Sequence, residues 1–232
     1  TMMNTLTGVI LMNKSNLYDL KRSFEYENGY MATAEPRRFS KFITHLEFFN
    51  MTSDLRGEIL ELGVFKGNSL FRWLKFRDLL ENTYSRKIIA FDVFGEFPKT
   101  EFKVDNKKRE LFINETKGGI GINYEELMFL LEKQNLNNNI EIVKGDILKT
   151  LPQYLEKNPE LKISLLHIDV DLYEATDIAL KLLYDHVVTG GIIILDDYGA
   201  FSGANKAVDD FFKNKCEIKK LKYSHAIGYV LK

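Results

Sequence analysis

Five short apolar runs, separated by segments with helical apolar spacing, leave this chain few folds to choose from. Glu58-Ile-Leu-Glu-Leu62, Lys87-Ile-Ile-Ala-Phe91, Ile140-Glu-Ile-Val143, Ile163-Ser-Leu-Leu-His167 and Gly191-Ile-Ile-Ile-Leu195 read as strands. Between or after them, Ser69–Glu81, Tyr124–Gln134, Leu148–Lys157 and Ala175–Val187 read as helices. Repeated βα units of this kind assemble around a mostly parallel sheet, so the expected class is α/β with a doubly wound, Rossmann-like topology. Past Leu195 the pattern predicts a helix over Ala204–Lys213. Two closing strands, Cys216–Leu221 and Ala226–Leu231, are then expected to pair as an antiparallel hairpin and bring the sheet to seven strands.

Residues 1–55 read as an N-terminal helical extension or lid, and residues 56–232 as the α/β domain. Pro36 opens a helix on which Phe39, Phe42, Ile43, Leu46 and Phe49 share one face, the face expected against the sheet. Asn28–Ala34 and the lysine-rich stretch Gly95–Asn123, with Gly118, Gly119 and Gly121, show little periodicity; each is a lid over a site or a solvated loop.

At 232 residues and 45% hydrophobic, the chain is long enough for one sizeable core. Its 32 Lys and Arg nearly balance 33 Asp and Glu, and a net charge of -1 supplies no overall field to draw in nucleic acid or an anionic membrane. No apolar run approaches the ~20 residues that span a bilayer, and Val9–Met12 is too short for the apolar region of a signal peptide. The single cysteine, Cys216, has no internal disulfide partner and suits a reducing compartment. These features lead to the expectation of a cytoplasmic protein with a small-molecule partner; homo-oligomerisation stays open.

Glu61-Leu-Gly63-Val-Phe-Lys-Gly67-Asn-Ser69 follows the first strand and opens a helix, where glycines let the backbone approach a ligand. Such glycines also serve strand-to-helix packing. The motif lacks the full G-x-G-x-x-G, which weighs against a dinucleotide whose pyrophosphate needs the helix N-terminus and leaves room for S-adenosylmethionine. Asp92 ends the second strand, where its carboxylate is placed to accept from both ribose hydroxyls, and Phe94 is placed to cover the adenine face. Asp146, after the third strand, either accepts from the adenine amino group or caps the next helix. The cofactor-binding set is therefore Glu61, Gly63, Gly67, Ser69, Asp92, Phe94 and Asp146.

More specific is His167-Ile-Asp169-Val-Asp171-Leu-Tyr-Glu174 at the end of the fourth strand, with Asp196-Asp197 at the end of the fifth. His167, Asp169 and Asp171 share a face if the strand persists that far. Four aspartates at two adjacent strand ends would have to protonate in part unless a cation joins them, and an all-oxygen set favours Mg²⁺, Mn²⁺ or Ca²⁺ over Zn²⁺. A sugar hydroxyl is a poor nucleophile at neutral pH, so a divalent cation plus a carboxylate base suits its methylation, and Asp171 is the chosen base. The bland counterparts are helix-capping loop aspartates, a satisfied core histidine at His167, and an exposed helix surface at Asp209 and Asp210. His225 is an alternative base, and Tyr198 and Lys206 are candidate contacts to a sugar ring or phosphate.

The segments Glu61–Ser69, Asp92-Val-Phe-Gly-Glu-Phe-Pro98, Asp169-Val-Asp-Leu-Tyr-Glu-Ala-Thr176, Gly190-Gly-Ile-Ile-Ile-Leu-Asp-Asp-Tyr198 and Gly203–Asp210 resemble, in order, the macrocin O-methyltransferase family. The resemblance runs from about Gly29 to the C-terminus. It implies a class I methyltransferase fold, S-adenosylmethionine as cofactor, a deoxysugar, nucleotide-linked sugar or natural-product sugar as acceptor, metal ligands at Asp169, Asp196 and Asp197, and the base at Asp171, with Mg²⁺ as the expected metal. Val170 stands where many members have glycine, and Gly145-Asp-Ile replaces an aromatic-containing segment at the adenine pocket. Competing readings are a metal-dependent glycosyltransferase, which uses D-x-D but leaves Asp92 and the second acidic pair idle, and a non-catalytic S-adenosylmethionine-binding protein, which has no need of Asp171. A nicotinamide oxidoreductase lacks its phosphate fingerprint.

Overall fold

Along β1 (Glu58–Leu62), Ile59 belongs to the core on one face of the sheet and Leu60 and Leu62 to the core on the other, the two-residue alternation of an extended chain. In the computed structural model, which describes residues 15–116, 119–213 and 215–232, β1 lies inside a sheet with β2 (Ile88–Asp92), β3 (Ile140–Lys144), β4 (Ile163–Ile168), β5 (Val187–Leu195) and β6 (Gly228–Leu231). The strand order is β3-β2-β1-β4-β5-β6. Pairing is parallel throughout except for β6, which runs antiparallel to β5 with Leu195 opposite Gly228.

Strands buried on both faces need continuous apolar runs rather than alternation, and Ile192–Leu195 is such a run. On one face, α2 (Pro36–Met51), α3 (Asn68–Leu80) and α5 (Tyr124–Lys133) bring Phe48, Trp73 and Leu127 against Ile59, Ile88, Leu165 and Ile192. On the other, α6 (Ile147–Lys157), α7 (Tyr173–Leu183) and α8 (Ser202–Phe212) bring Leu151, Leu180 and Val208 against Leu60, Ile89, Leu166 and Ile193. This is the doubly wound architecture of the expectation, with its strands and helices displaced by only a few residues. Among the described residues, no helix is long and apolar enough to cross a membrane.

Among the described residues the sheet has six strands rather than seven. Cys216–Leu221 forms no strand: it contributes one antiparallel bridge, Lys219 to Tyr229, with N–H···O bonds of 2.9 and 2.8 Å. Lys219, Lys220 and Lys222 crowd this outermost segment, and such charges are a common way of keeping an edge from pairing further.

The face of α2 differs in part from the expected one: Leu46 and Phe49 pack in the core, but its first half is turned outward. Phe39, Phe42 and Ile43 are exposed, while Thr44, His45, Phe48 and Phe49 are buried. The helix is turned so that Lys41 reaches the buried acids described below and His45, one turn on, packs against Trp73 and His167.

Both aperiodic stretches contain helix. α1 (Ser23–Thr33) buries none of its residues, which is why it carries no apolar period. α4 (Lys103–Glu115) buries only Asp105. Its segment is held from outside: Glu174 accepts from the Thr100 hydroxyl and the Glu101 amide at 2.9 Å, Phe102 stacks on Tyr173 at 5.3 Å, and Asp105 accepts from the Gly203 amide at 2.8 Å. Residues 1–14, with Val9–Met12, and Gly118 of the glycine-rich stretch lie outside the described residues. Asp105→Ala orphans a buried amide and should cost about 1–2 kcal/mol. Hydrogen exchange should show faster exchange in α4 than in α7; unchanged α4 protection would refute the tether.

Candidate functional site

In an open parallel sheet, ligands settle where the strand order reverses, because the loops leaving neighbouring strands there diverge to opposite faces. Here that point lies between β1 and β4. A cavity of about 750 Å³ opens at this edge, and its wall includes Gly63–Lys66, Asp92, Gly145–Leu148, Asp169–Leu172, Asp196 and Asp197. α1 and α2 supply Tyr30, Arg38 and Lys41, and the segment containing α4 supplies Phe97, Phe112, Thr116, Gly119 and Gly121.

The glycine turn is built by Asp92. Its Oδ2 accepts from the Val64 and Phe65 amides at 2.7 and 2.9 Å, and its Oδ1 from the Phe94 amide at 2.6 Å. A carboxylate has about four lone-pair sites, so one is left for a ribose hydroxyl rather than the pair expected. Gly63 adopts φ +92, and Gly67, with φ +83, is the N-cap of α3. Ser69 lies in the first turn of α3 and on the cavity wall. The Phe94 ring packs edge-on to Tyr124 at 5.7 Å within the core. Asp146 caps α6, accepting from the Leu148 amide at 3.0 Å, and also lines the cavity.

Glu61 lies under the floor rather than on the wall. It sits opposite His167 in the β1–β4 register, and both are fully buried. Glu61 Oε1 meets His167 Nδ1 at 3.1 Å, and His167 Nε2 lies 3.5 Å from Asp196 Oδ1. Although burial opposes it, the neighbouring Asp196 and Glu61 carboxylates push the His167 imidazole up to about 9 and so favour its charged form. The ring also stands edge-on to His45 at 5.1 Å, and His45 stacks on Trp73 at 4.6 Å. Burial, then the neighbouring His167, holds His45 neutral, well below its ordinary range.

β4 stops at Ile168, so the shared face expected for His167, Asp169 and Asp171 does not extend to the last of them. Asp171 takes a left-handed conformation, φ +61, and its amide donates to Asp197 Oδ2 at 2.8 Å. Oxygens of Asp169, Asp171 and Asp197 come within 4.8 Å of one another. Asp196 is drawn to the other side, where Lys41 Nζ is 2.7 Å from its Oδ2 and 3.7 Å from Asp169.

Burial, then the charge of Asp196, pushes Asp169 up to about 6; burial, then Asp169, pushes Asp171 up to about 7; burial and then Asp171 hold Asp197 well above the carboxylate range. Asp196 goes the other way: burial resists, but Lys41 and His167 keep it ionised. Five acids thus share two cations. Asp196 Oδ1 and Glu61 Oε2 have no partner among the described residues. The converging oxygens of Asp169, Asp171 and Asp197, in a site with more carboxylates than cations, fit a divalent cation.

Lys41, His45, Arg38 and Arg72 escaped the sequence reading. Three of them form a stripe at helical spacing on α2, Arg38-Lys41-His45, which was the available signal. Away from the cavity, the Tyr198 hydroxyl donates to Asp209 at 2.8 Å and Lys206 pairs with Asp210 at 2.7 Å. His225 is exposed and Cys216 is a free thiol.

A family model described as Macrocin-O-methyltransferase (TylF) matches residues 30–223. The 8-demethyl-8-(2,3-dimethoxy-alpha-L-rhamnosyl)-tetracenomycin-C 4'-O-methyltransferase of Streptomyces olivaceus is 27% identical over 157 residues, 67% of this chain and 58% of that protein. The demethyldecarbamoylnovobiocin O-methyltransferase of Streptomyces niveus is 25% identical over 162 residues, 68% of this chain and 59% of that protein. The matches thus span about six tenths of the length of these relatives. A crystal structure of a calicheamicin methyltransferase superposes with a TM-score of 0.74 at 24% identity, over 90% of this chain and 84% of that one.

Proposed function

Since this chain belongs to the macrocin O-methyltransferase family, we propose that it transfers the methyl group of S-adenosylmethionine to a hydroxyl of a sugar. The acceptor class is a deoxysugar, free on a nucleotide or attached to a natural product, in line with the rhamnosyl 4'-O-methyltransferase and the novobiocin-type enzyme among its relatives. The observation that carries the reading is that the glycine turn and the four aspartates open into one cavity at the switch point. A glycosyltransferase would leave the Asp92-organised turn without a ligand.

Each side chain then has a task. Asp92 holds the turn in shape and offers its remaining lone pair to the ribose, while Asp146, Ile147 and Leu148 border the adenine. Asp169, Asp196 and Asp197 would hold a divalent cation, most simply Mg²⁺, and Lys41, 2.7 Å from Asp196, meets part of their charge. When bound, such a cation makes a coordinated hydroxyl more acidic and offsets surplus carboxylate charge. Asp171 takes the hydroxyl proton, and the left-handed turn at this residue aims its carboxyl into the cavity beside Asp169 and Asp197. α1, α2 and the α4 segment close over the reactants and exclude water. The remainder is alignment of oxygen, methyl and sulfur, which needs no further chemical group.

Titration with S-adenosylhomocysteine tests the class: binding independent of EDTA is expected, and no binding together with metal-dependent binding of a nucleotide sugar would transfer the protein to the glycosyltransferases. For the metal, chelation should lower methylation of an accepted sugar at least roughly tenfold, with recovery on adding Mg²⁺. Full activity in EDTA would remove the cation from the mechanism. Asp196→Asn should weaken Mn²⁺ binding, followed by electron paramagnetic resonance, without loosening S-adenosylhomocysteine.

A further inference from the structure

The one buried residue of α4 is an acid. Asp105 is 1% exposed on a helix whose other residues are exposed or half-buried, and a carboxylate is rarely taken out of water without a partner that needs it. What it meets is the start of two other helices. α7 and α8 have no side-chain cap of their own, which leaves first-turn amides without a partner inside the helix. Asp105 Oδ1 accepts from the Gly203 amide, in the first turn of α8, at 2.8 Å. Burial pushes the Asp105 carboxyl up, and the amides of Gly203 and then Tyr173, the first residue of α7, draw it back down. The fit is close: a Cβ on Gly203 would lie 2.0 Å from Asp105 Oδ2 and 2.8 Å from the Tyr173 nitrogen.

The same helix starts hold α4 in return. Glu174, the second residue of α7, accepts from the Glu101 and Phe102 amides at 2.9 and 3.1 Å, where α4 begins without a side-chain cap of its own. Lys108 Nζ donates to the Ala200 carbonyl and lies 5.0 Å from the centre of the Phe201 ring. All these contacts fall just beyond the acids. Asp171 stands two residues before Tyr173, and Asp197 three before Ala200, whose amide donates back to the Asp197 carbonyl at 2.8 Å. Where α7 and α8 begin therefore fixes where the two acid-bearing loops lie, and α4 touches both starts at once.

We propose that Asp105 is a positioning residue for the metal site: from α4 it locks the starts of α7 and α8 together and so sets the spacing of Asp169 and Asp171 from Asp197. The inference rests on the methyltransferase reading and its divalent cation. It gives the stretch Gly95–Asn123 a second task besides covering the cavity. Asp105 acts only through the loops, since it is not part of the cavity wall. Groups outside a ligand set that hold the ligands in place commonly change metal affinity by roughly 10- to 100-fold. Here the low end is expected, because Asp105 grips the backbone that follows the ligands and not their carboxylates.

The test is Mn²⁺ titration followed by electron paramagnetic resonance, with S-adenosylhomocysteine titrated in parallel, on the whole protein and on Asp105→Ala, Asp105→Asn and Lys108→Met, at a temperature where circular dichroism shows each folded. Asp105→Ala should weaken Mn²⁺ roughly tenfold. Asp105→Asn, which can still accept from the Gly203 amide, should recover part of that loss. Lys108→Met removes an exposed side chain and leaves the core intact, so it keeps the test open should Asp105→Ala not fold; it should shift Mn²⁺ in the same direction by less. S-adenosylhomocysteine should bind all four proteins alike, because Asp92 and the glycine turn it shapes lie at the ends of β1 and β2. Wild-type Mn²⁺ affinity in every variant, with only the melting temperature lowered, would make Asp105 a stabilising residue and overturn the proposal. Equal losses of Mn²⁺ and S-adenosylhomocysteine would make it a general support of the cavity and overturn the proposal as well. A wild type that bound S-adenosylhomocysteine but no Mn²⁺ would remove the cation and the positioning role with it, whereas one that bound neither would remove the methyltransferase reading itself.

Discussion

Asp171→Asn should lower methyl transfer by roughly 10²–10⁴-fold, the usual contribution of a positioned general base, while S-adenosylhomocysteine binds as in the wild type. The substitution keeps size and hydrogen bonding but removes the ability to take a proton. The Asp171 amide, which donates to Asp197 Oδ2 at 2.8 Å, is untouched, so the local chain should hold its left-handed turn. Asparagine also tolerates such a conformation better than most residues. A second readout is needed because the Asp171 carboxyl lies as near Asp169 and Asp197 as a shared cation would require. Mn²⁺ affinity measured on the same variant should be unaltered. If turnover and Mn²⁺ affinity fall together, Asp171 is a ligand and the base is another group; if turnover persists, the carboxylate has no chemical role.

Gly63→Ala should be the most destabilising substitution in the site, costing about 4 kcal/mol or more, the range of clashes that the fold cannot relax. Gly63 has φ +92, and a Cβ there would lie 1.8 Å from the Asp169 carbonyl oxygen and 2.8 Å from its carbon. The obstacle is backbone, not a side chain that can swing aside. It is also held on both sides: the Gly63 amide donates to Phe91 at 2.9 Å, and the Asp169 amide to Leu62 at 2.9 Å. Relief requires β1 and β4 to separate at the carboxyl edge, which moves Asp169. Thermal unfolding should therefore fall by roughly 10 °C for a chain of this size, and the folded fraction should lose Mn²⁺ affinity. A melting temperature within a degree or two of wild type would show that the two loops are not in contact in solution.

Much of the fold was legible because it depends on short-range periodicity. A parallel strand buried on both faces has to be largely apolar, and β2, β4 and the second half of β5 declare themselves that way, while the half-buried edge strand β3 shows only as a short β-branched run; helices with one buried face declare themselves at their own period. The misses share a cause. α1 and α4 bury almost nothing of their own, so no period marks them, and α4 is held by Asp105 to Gly203 and by residues ahead of it to Glu174. The seventh strand failed because a lysine-rich edge can satisfy its backbone in water. On α2 the period held for Leu46 and Phe49 but not for Phe39, Phe42 and Ile43, where Lys41 and His45 turn inward to partners more than 100 residues away along the chain.

The candidate site divides along the same line. By itself the sequence determined which strand ends carry acids and where a glycine turn meets a helix, since both follow from counting residues along elements whose period is known. It also determined that four aspartates meet at one edge, because a parallel sheet brings the carboxyl ends of neighbouring strands together. Only the tertiary structure decided which acid has which partner: Lys41 with Asp196, His167 between Glu61 and Asp196, and Asp92 with the amides of the turn it shapes. The reason is physical. Strand period and chain direction are properties of neighbouring residues, whereas the charge state of a buried carboxylate depends on cations brought within a few ångströms by packing, and α2 delivers Lys41 from a part of the chain that local pattern does not connect to β4 or β5.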